Sequence, residues 1–358
     1  MRTGRSIFLY PFSLVYGLIT TVRNFLYNRG ILQSRKFKVP VICVGNLTVG
    51  GTGKTPHTEY LAGLLRKTFN VAVLSRGYKR RSHGFQIAVK NSRVADVGDE
   101  PMQICRKYPD VTVAVDRNRV HGVNKLLIEK PGTDVIILDD GFQHRRIKPG
   151  LTILLSDFER PMAKDHLLPY GNLRESIKNT KRADLIIITK SPSDLSSEQQ
   201  KLISDGVNKA PWQDLYFTSV NYKDPLPVFD DKIAGRDVFT LSQKKESGIV
   251  LVTGIADPEP LLDYLQKSFR EIIHLSFGDH HQFTLKDIEK IRSAWTDLKT
   301  SERYVFTTEK DAVRLREFTN IAEPVRSVCY FIPIGIRFLN DDEDRFNNLI
   351  VEYAGKNK

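Results

Sequence analysis

Short apolar segments that end in a turn or a charged residue recur through the first half of the chain. They are VPVICVGN (39–46), VAVLSR (71–76), VTVAVD (111–116), DVIILDD (134–140), LTILLSD (151–157) and LIIITK (185–190). Amphipathic stretches separate several of these segments, and strands that alternate with helices are typical of parallel βαβ units. The pattern therefore predicts an α/β fold with a doubly wound parallel sheet that extends to about Lys190.

A second series of apolar segments follows a polar stretch (191–207) that predicts a helix. SGIVLVTGIA (247–256), EIIHLSF (271–277) and RYVFTTEKD (303–311) predict a smaller α/β domain. Extended segments at 215–222 and 329–339 bracket this series, which indicates a two-strand linker between the domains. The predicted division is an N-terminal helix (1–35), a first domain (36–214), a smaller domain (215–339) with linker strands at about 215–229 and 329–339, and a C-terminal helix (340–358).

The first 40 residues are basic and contain a long apolar run. They hold seven Arg and Lys but no Asp or Glu, and so supply seven of the twelve net positive charges. Ser6 to Val22 is uncharged, but this run is shorter than the about 20 residues of a membrane span, and no signal-peptide cleavage site follows it. We expect a helix in the membrane interface with basic flanks near anionic lipids; the alternative is an ordinary packed helix.

Composition excludes several other classes of protein. The three cysteines, Cys43, Cys105 and Cys329, lie far apart without a CxxC spacing, which argues against a zinc site or a disulfide framework and favours a reducing compartment. The formal charge of +12 raises the question of nucleic-acid binding. Because the basic residues cluster beside the apolar N-terminal run, we expect a lipid surface and no nucleic acid.

The segment after the first apolar strand is glycine-rich and leads into a predicted helix. NLTVGGTGKTP followed by HTEYLAGLLRK has the strand–loop–helix order of a P-loop, although Thr48 stands where the strict pattern has glycine. Lys54 is expected to reach the β- and γ-phosphates of a nucleotide, and the Thr55 hydroxyl to ligate Mg²⁺. The predicted nucleotide-binding residues are Thr48, Val49, Gly50, Gly51, Thr52, Gly53, Lys54 and Thr55.

Two carboxylates follow a later apolar strand. Asp139 and Asp140 end the segment DVIILDD, at the edge where open α/β sheets bind ligands. One of them can hold Mg²⁺ through water, so the predicted metal-binding residues are Thr55, Asp139 and Asp140. Together with the P-loop, these residues predict a P-loop NTPase-like first domain.

Further motifs follow one another in order along the chain: GNLTVGGTGKTP (45–56), LSRGYKR (74–80), GDEP (98–101), DRNR (116–119), DDGFQHRR (139–146), LLPYGNLRES (167–176), TGIADP (253–258), FGDHHQF (277–283) and TTEKDAVRL (307–315). Their identity and order resemble the tetraacyldisaccharide 4′-kinase family of lipid A biosynthesis. The resemblance implies transfer of the ATP γ-phosphate, with Mg²⁺, to the 4′-hydroxyl of an acylated glucosamine disaccharide 1-phosphate. It also implies a location at the cytoplasmic face of the inner membrane, which we expect to be peripheral or monotopic. The sequence gives no sign of an obligate protein partner.

The same resemblance supplies candidate catalytic residues. Asp99 resembles the family's catalytic carboxylate and His280 the histidine paired with it, although the physics of the sequence does not separate His280 from His281. Glu100 either helps to bind metal or faces solvent. The cluster Glu309, Lys310 and Asp311 either contacts nucleotide or begins a solvated helix. The candidate substrate-binding residues, each with a structural alternative, are Arg76, Arg117, Arg119, Gln143, His144, Arg145 and Arg174.

A function of another class stays open at this point. A membrane-peripheral nucleotide switch would also carry a P-loop and a basic, apolar N-terminus, but it would need no base for a sugar hydroxyl. Asp99 with His280 distinguishes the two hypotheses, because only the kinase needs such a pair.

Overall fold

The computed structural model describes residues 7–207, 209–229, 239–241, 244–318, 321 and 323–356. The helices are α1 (Tyr10–Asn28), α2 (Lys54–Leu65), α3 (Val94–Val97), α4 (Asp99–Lys107), α5 (Arg119–Glu129), α6 (Ser197–Val207), α7 (Glu259–Gln266), α8 (Leu285–Asp297), α9 (Glu309–Leu315) and α10 (Glu343–Gly355). The strands are β1 (Val41–Asn46), β2 (Val71–Ser75), β3 (Gln86–Ile87), β4 (Thr112–Val115), β5 (Val135–Asp139), β6 (Leu151–Asp157), β7 (Leu185–Thr189), β8 (Asp214–Tyr222), β9 (Leu226–Pro227), β10 (Gly248–Thr253), β11 (Glu271–Ser276), β12 (Arg303–Thr308), β13 (Cys329–Ile332) and β14 (Ile334–Phe338).

The larger sheet is built from the apolar segments of the first half of the chain. In the part of the chain that the structure describes, its nine strands run in the order β14-β8-β7-β6-β1-β5-β2-β4-β3. The strands from β8 to β4 in this order pair in parallel, and β1, β2, β5, β6 and β7 are buried along their whole length. Burial on both faces explains why these segments are continuously apolar and do not alternate with polar residues. The predicted α/β fold with a large, mostly parallel sheet is confirmed.

The second sheet is smaller and lies beside the first. Its described strands run in the order β11-β10-β12-β13-β9, with parallel pairing except between β13 and β9. Val250, Val252 and Phe331 of this sheet pack with Ile291 of α8 in a separate core. The Thr284 hydroxyl accepts a hydrogen bond from the Asp287 amide, and this capping box begins α8.

The chain crosses between the two sheets twice. After β8 of the larger sheet it enters β9 of the smaller one, and after β13 it returns to β14, which pairs antiparallel with β8. Pro333 separates β13 from β14, so the extended run predicted at 329–339 is two strands, one in each sheet. Helix α10 then packs Phe346 and Ile350 into the core of the larger sheet. The domain limits drawn from the sequence stay a prediction.

The face of helix α1 that packs against the rest of the protein has an unusual composition. Its buried positions are Ser13, Gly17, Thr20 and Asn24, which are small or polar. A Cβ atom at Gly17 would lie 2.7 Å from Leu167 Cδ1, so a side chain there would require Leu167 to shift. The apolar side chains of the helix are exposed instead: Phe12, Leu14, Val15, Leu18, Ile19, Val22 and Phe25.

The position of Pro11 affects how α1 begins, and the length and apolar character of α1 decide whether it could span a membrane. Pro11 lies in the first turn, where its missing N–H breaks no intrahelical hydrogen bond, so it does not disturb the helix. The expected N-terminal helix is present, while Arg2 and Arg5 of the basic segment lie outside the described residues. In the described part of the chain, none of the helices combines the length and the apolar character that a membrane span requires.

Candidate active site

The loop between β1 and α2 is folded as a phosphate-binding loop. Gly50 and Gly53 have positive φ angles of 104° and 77°, which favour glycine. The buried Asn46 side chain donates hydrogen bonds to Thr48 O at 2.7 Å and Thr52 Oγ1 at 2.8 Å, and so holds the loop from below. Val49 N donates to Asn172 O at 2.8 Å, which ties the loop to the 167–176 motif.

The functional side chains of the loop begin α2. Lys54 Nζ lies 3.3 Å from Asn46 Oδ1 and 3.8 Å from Asp140 Oδ1. Thr55 follows in the first turn of α2 and is half-buried. The N-terminus of α2 and the Lys54 ammonium together favour an anion at this position.

Three carboxylates stand opposite Lys54 with different electrostatic surroundings. Asp139 is buried at the end of β5, and burial together with repulsion from Asp140 raises its pKa. Burial alone would raise the pKa of Asp140, but the charges of Lys54 and Arg174 outweigh it and hold the pKa below its usual value. The pKa of Glu100 is raised to about 7 by burial and by repulsion from Asp139 and then Asp99. The carboxylate of Glu100 therefore interacts electrostatically with those of Asp139 and Asp99.

These oxygens suit a hard cation. Mg²⁺ takes oxygen ligands, commonly one or two carboxylates together with substrate phosphates and water. The carboxylates of Asp139 and Asp140 and the hydroxyl of Thr55 provide that donor set beside the phosphate-binding loop. Thr58 and Ser75 donate to the two oxygens of Asp139 at 3.3 and 3.2 Å, which orients this carboxylate.

The structure brings Asp99 and His280 into direct contact although they are far apart in sequence. Asp99 begins α4 after Gly98, whose φ of 95° turns the chain sharply. His280 follows β11 with a φ of 61°, and its Nδ1 lies 2.8 Å from Asp99 Oδ2. His281 is placed elsewhere: its Nε2 lies 3.0 Å from Asp287 Oδ2, at the start of α8. Of the two histidines, His280 is therefore the one paired with Asp99.

The carboxylate of Asp99 is buried among positive groups. Burial alone would raise its pKa, but the hydrogen bond with His280 and the charges of Arg314 and Lys310 outweigh burial. The pKa of Asp99 consequently lies well below its usual value, and the group is ionised throughout the neutral range. Its Oδ2 atom contacts both His280 and Arg314. Within the described part of the chain, no hydrogen bond occupies Oδ1.

Several predicted substrate-binding residues lie around the loop and the carboxylates. Arg174 Nη1 lies 2.9 Å from Asp140 Oδ1 and 3.2 Å from Gln143 Oε1. Arg119 is buried, donates to Asp139 O at 3.0 Å, and has its pKa lowered to about 10 by burial. Burial and the charge of Arg119 lower the pKa of His144 to about 4, so this imidazole is neutral at pH 7.

The remaining predicted arginines differ in their surroundings. Arg76 and Arg117 are exposed. Arg145 contacts α1 instead: it donates to Asn24 Oδ1 at 3.2 Å and Asn28 Oδ1 at 2.8 Å. Its guanidinium is engaged in holding α1, and a role for it in substrate binding stays a prediction.

The cluster at the start of α9 packs against the site and is not a solvated helix end. Lys310 Nζ lies 2.9 Å from Asp279 Oδ1 and 3.2 Å from His280 Nε2. Glu309 pairs with Lys107 of α4 at 3.0 Å, and Asp311 is fully buried. Sequence reasoning missed one further member, Arg314, which contacts Asp99. Its spacing of three and four residues from Asp311 and Lys310 was a signal, since these positions share a helix face.

Comparison with known proteins agrees with this arrangement. The family model for LpxK, tetraacyldisaccharide-1-P 4′-kinase, matches residues 5–354. The tetraacyldisaccharide 4′-kinase of Bacteroides thetaiotaomicron is 47% identical, over 98% of this chain and 93% of that protein. The protein of the same name from Flavobacterium johnsoniae is 43% identical, over 98% of this chain and 97% of that protein.

A solved structure gives the same result at the level of the fold. The LpxK of Aquifex aeolicus, an "apo" form in complex with ATP, is 29% identical and superposes with a TM-score of 0.72. The match covers 96% of this chain and 98% of that one. On these matches, the chain belongs to the tetraacyldisaccharide-1-phosphate 4′-kinase family.

Proposed function

We propose that the protein is an ATP-dependent kinase that phosphorylates the 4′-hydroxyl of tetraacyldisaccharide 1-phosphate in lipid A biosynthesis. The observation that carries the proposal is the Asp99–His280 pair beside a complete phosphate-binding loop, in a chain that belongs to the 4′-kinase family. A nucleotide switch needs the loop but not the pair. The relatives share nearly the full length of this chain, which favours the same reaction and the same acceptor class.

The P-loop residues hold the nucleotide in this proposal. The loop amides and the N-terminus of α2 face the phosphates, and Lys54 neutralises the β- and γ-phosphates. Thr55, Asp139 and Asp140 would hold Mg²⁺, which neutralises charge on the phosphate oxygens when it is bound. Arg174 and Arg119 lie next to these carboxylates, where guanidinium groups suit phosphate oxygens.

Asp99 is the proposed base. In an in-line transfer, the 4′-oxygen forms a bond to the γ-phosphorus as the bond to the β–γ bridging oxygen breaks, and the hydroxyl loses its proton. The Oδ1 atom of Asp99 is available to accept that proton, because His280 and Arg314 occupy Oδ2. The hydrogen bond with His280 and the charges of Arg314 and Lys310 keep Asp99 ionised, so its carboxylate is in the proton-accepting form at neutral pH.

We also propose that α1 holds the enzyme on the cytoplasmic face of the inner membrane. Exposed Phe12, Leu18 and Phe25 lie on one apolar face of the helix. The opposite face contacts the site loops, since Ser13 Oγ donates to Leu167 O and Tyr16 OH donates to Arg174 O, both at 2.9 Å. A helix with this arrangement brings the site to the surface where an acylated substrate lies.

The reaction is tested with γ-labelled ATP, Mg²⁺ and tetraacyldisaccharide 1-phosphate in detergent micelles. We expect label in the lipid, and none when the acceptor already carries a 4′-phosphate. ATP binding without transfer to the first acceptor would contradict the kinase and favour the nucleotide switch. Label in both acceptors would contradict the assignment of the 4′-hydroxyl.

A further inference from the structure

The Asp99 carboxylate is held from the smaller sheet by a chain of buried hydrogen bonds. Asp311, at the start of α9, is 0% exposed. Its Oδ2 accepts from Gly254 N at 2.8 Å and from Thr308 Oγ1 at 2.7 Å, so the ends of β10 and β12 fix this carboxylate. Its Oδ1 accepts from Arg314 Nη1 at 3.0 Å.

Arg314 continues the chain towards the site. The residue is only 6% exposed, and its two terminal nitrogens bond to different carboxylates. Nη1 donates to Asp311, and Nη2 donates to Asp99 Oδ2, the oxygen that His280 also contacts. The planar fork of a guanidinium fixes the angle between these two bonds. The position of Asp99 is therefore set by a residue that is anchored, through Asp311, to the smaller sheet.

Lys310 does not duplicate this contact. Its Nζ lies 3.9 Å from Asp99 Oδ2 but 2.9 Å from Asp279 Oδ1, so its closest carboxylate is Asp279. His280 reaches Asp99 from the loop after β11, on a backbone that Gly254 O helps to hold. Arg314 is thus the side chain of α9 that forms a hydrogen bond directly to Asp99.

We propose that Arg314 is a positioning residue for the transfer reaction. With Asp311 as its anchor, it occupies Asp99 Oδ2 and leaves Oδ1 turned to the acceptor hydroxyl. Arg314 acts through Asp99 and touches neither nucleotide nor lipid in this assignment. The inference rests on the proposed kinase function and on Asp99 as its base.

A double-mutant cycle tests this assignment. Arg314→Ala should lower kcat by about 10²-fold, the size of effect that a misplaced catalytic group produces, with little change in the KM for ATP or lipid. In an Asp99→Asn background the same change should have little further effect, because Arg314 is assigned to act through the Asp99 carboxylate. Added guanidinium should restore part of the kcat of Arg314→Ala but none of that of Asp99→Asn.

Two further variants separate positioning from folding. Arg314→Lys keeps the charge and most of the volume, but one ammonium lacks the fixed fork that spans Asp311 and Asp99. It should fold and still lose kcat. Arg316→Met is the matched control, since Arg316 follows the same helix and donates to Val228 O and Pro227 O, away from the site. It should leave kcat of the folded protein unchanged.

Different outcomes would contradict the positioning role of Arg314 and the proposed kinase function. An equal loss of kcat on Arg314→Ala in the wild-type and Asp99→Asn backgrounds would overturn the positioning role. So would an unchanged kcat in the folded Arg314→Ala and Arg314→Lys proteins. Absence of transfer by the wild-type protein would instead overturn the proposed kinase itself.

Discussion

The exposed apolar face of α1 gives the most direct prediction about where the enzyme works. We expect the double variant Phe12→Ser, Leu18→Ser to lose most of its affinity for membranes. Both side chains are 65% exposed, so neither supports the fold. Burial of a whole side chain of this kind is worth about 1.5–3 kcal/mol. The exposed parts of the two residues together then contribute about 2–4 kcal/mol to membrane binding.

This free energy sets the size of the effect. Because about 1.4 kcal/mol corresponds to a factor of ten, the partition coefficient should fall by about 30-fold to several hundred-fold. The assay is sedimentation with vesicles of phosphatidylethanolamine and phosphatidylglycerol over a range of lipid concentrations. Far-ultraviolet circular dichroism and thermal unfolding show whether the variant keeps the fold of the wild-type protein.

A matched control tests whether apolar exposure alone explains the result. Ile128 and Leu202 are 73% and 72% exposed but lie on α5 and α6, away from α1. Ile128→Ser, Leu202→Ser should leave the partition coefficient unchanged. The reasoning is refuted if the α1 variant sediments with vesicles as well as the wild-type protein does, or if the control loses affinity to the same extent.

Two other predictions concern the phosphate-binding loop. Lys54→Met should lower kcat by about 10²-fold or more, the cost of removing one preorganised charge-stabilising group; steady-state kinetics that show an unchanged kcat would contradict the role of Lys54. Burial lowers the pKa of His57 to about 4, and its Nδ1 lies 2.7 Å from Gly53 O. In the unfolded chain this imidazole has its ordinary pKa of about 6.5, so as the pH falls the unfolded chain binds a proton before the folded protein does. The free energy of unfolding should therefore fall as pH drops from about 6.5 towards 4. In His57→Gln, urea denaturation should show a smaller fall over this range, and an identical fall would exclude His57 as its source.

The fully buried strands of the larger sheet could be predicted because burial on two faces imposes a simple pattern. The segments 151–157 and 185–190 are almost continuously apolar, as is expected of parallel strands that are covered on both faces. Both segments form strands in the structure. The run 329–339 was harder to divide. A proline inside an extended segment is compatible with one edge strand or two strands, and only the position of the two sheets decides between them.

The parts of the site that are formed by continuous sequence motifs could be predicted. The P-loop and the Asp139–Asp140 pair are local patterns, so their proximity follows from parallel strands ending at one edge. The choice of His280 over His281 depends on Asp287, which draws His281 to the start of α8. Arg314 was missed because its partner Asp99 lies 215 residues away, at the start of α4. The helix-face spacing relates Arg314 only to Asp311 and Lys310 of its own helix, and neither segment carries a local pattern that indicates the contact with Asp99.

The measurement that tests the account most directly is phosphoryl transfer by Asp99→Asn, set beside its affinity for ATP. The substitution keeps the size of the side chain but removes the proton acceptor, and Asp99 touches neither the P-loop nor Lys54 in the described contacts. We expect kcat for labelling tetraacyldisaccharide 1-phosphate to fall by about 10²–10⁴-fold, with the Kd for ATP nearly unchanged. Transfer by Asp99→Asn at the wild-type rate would contradict the assignment of Asp99 as the base.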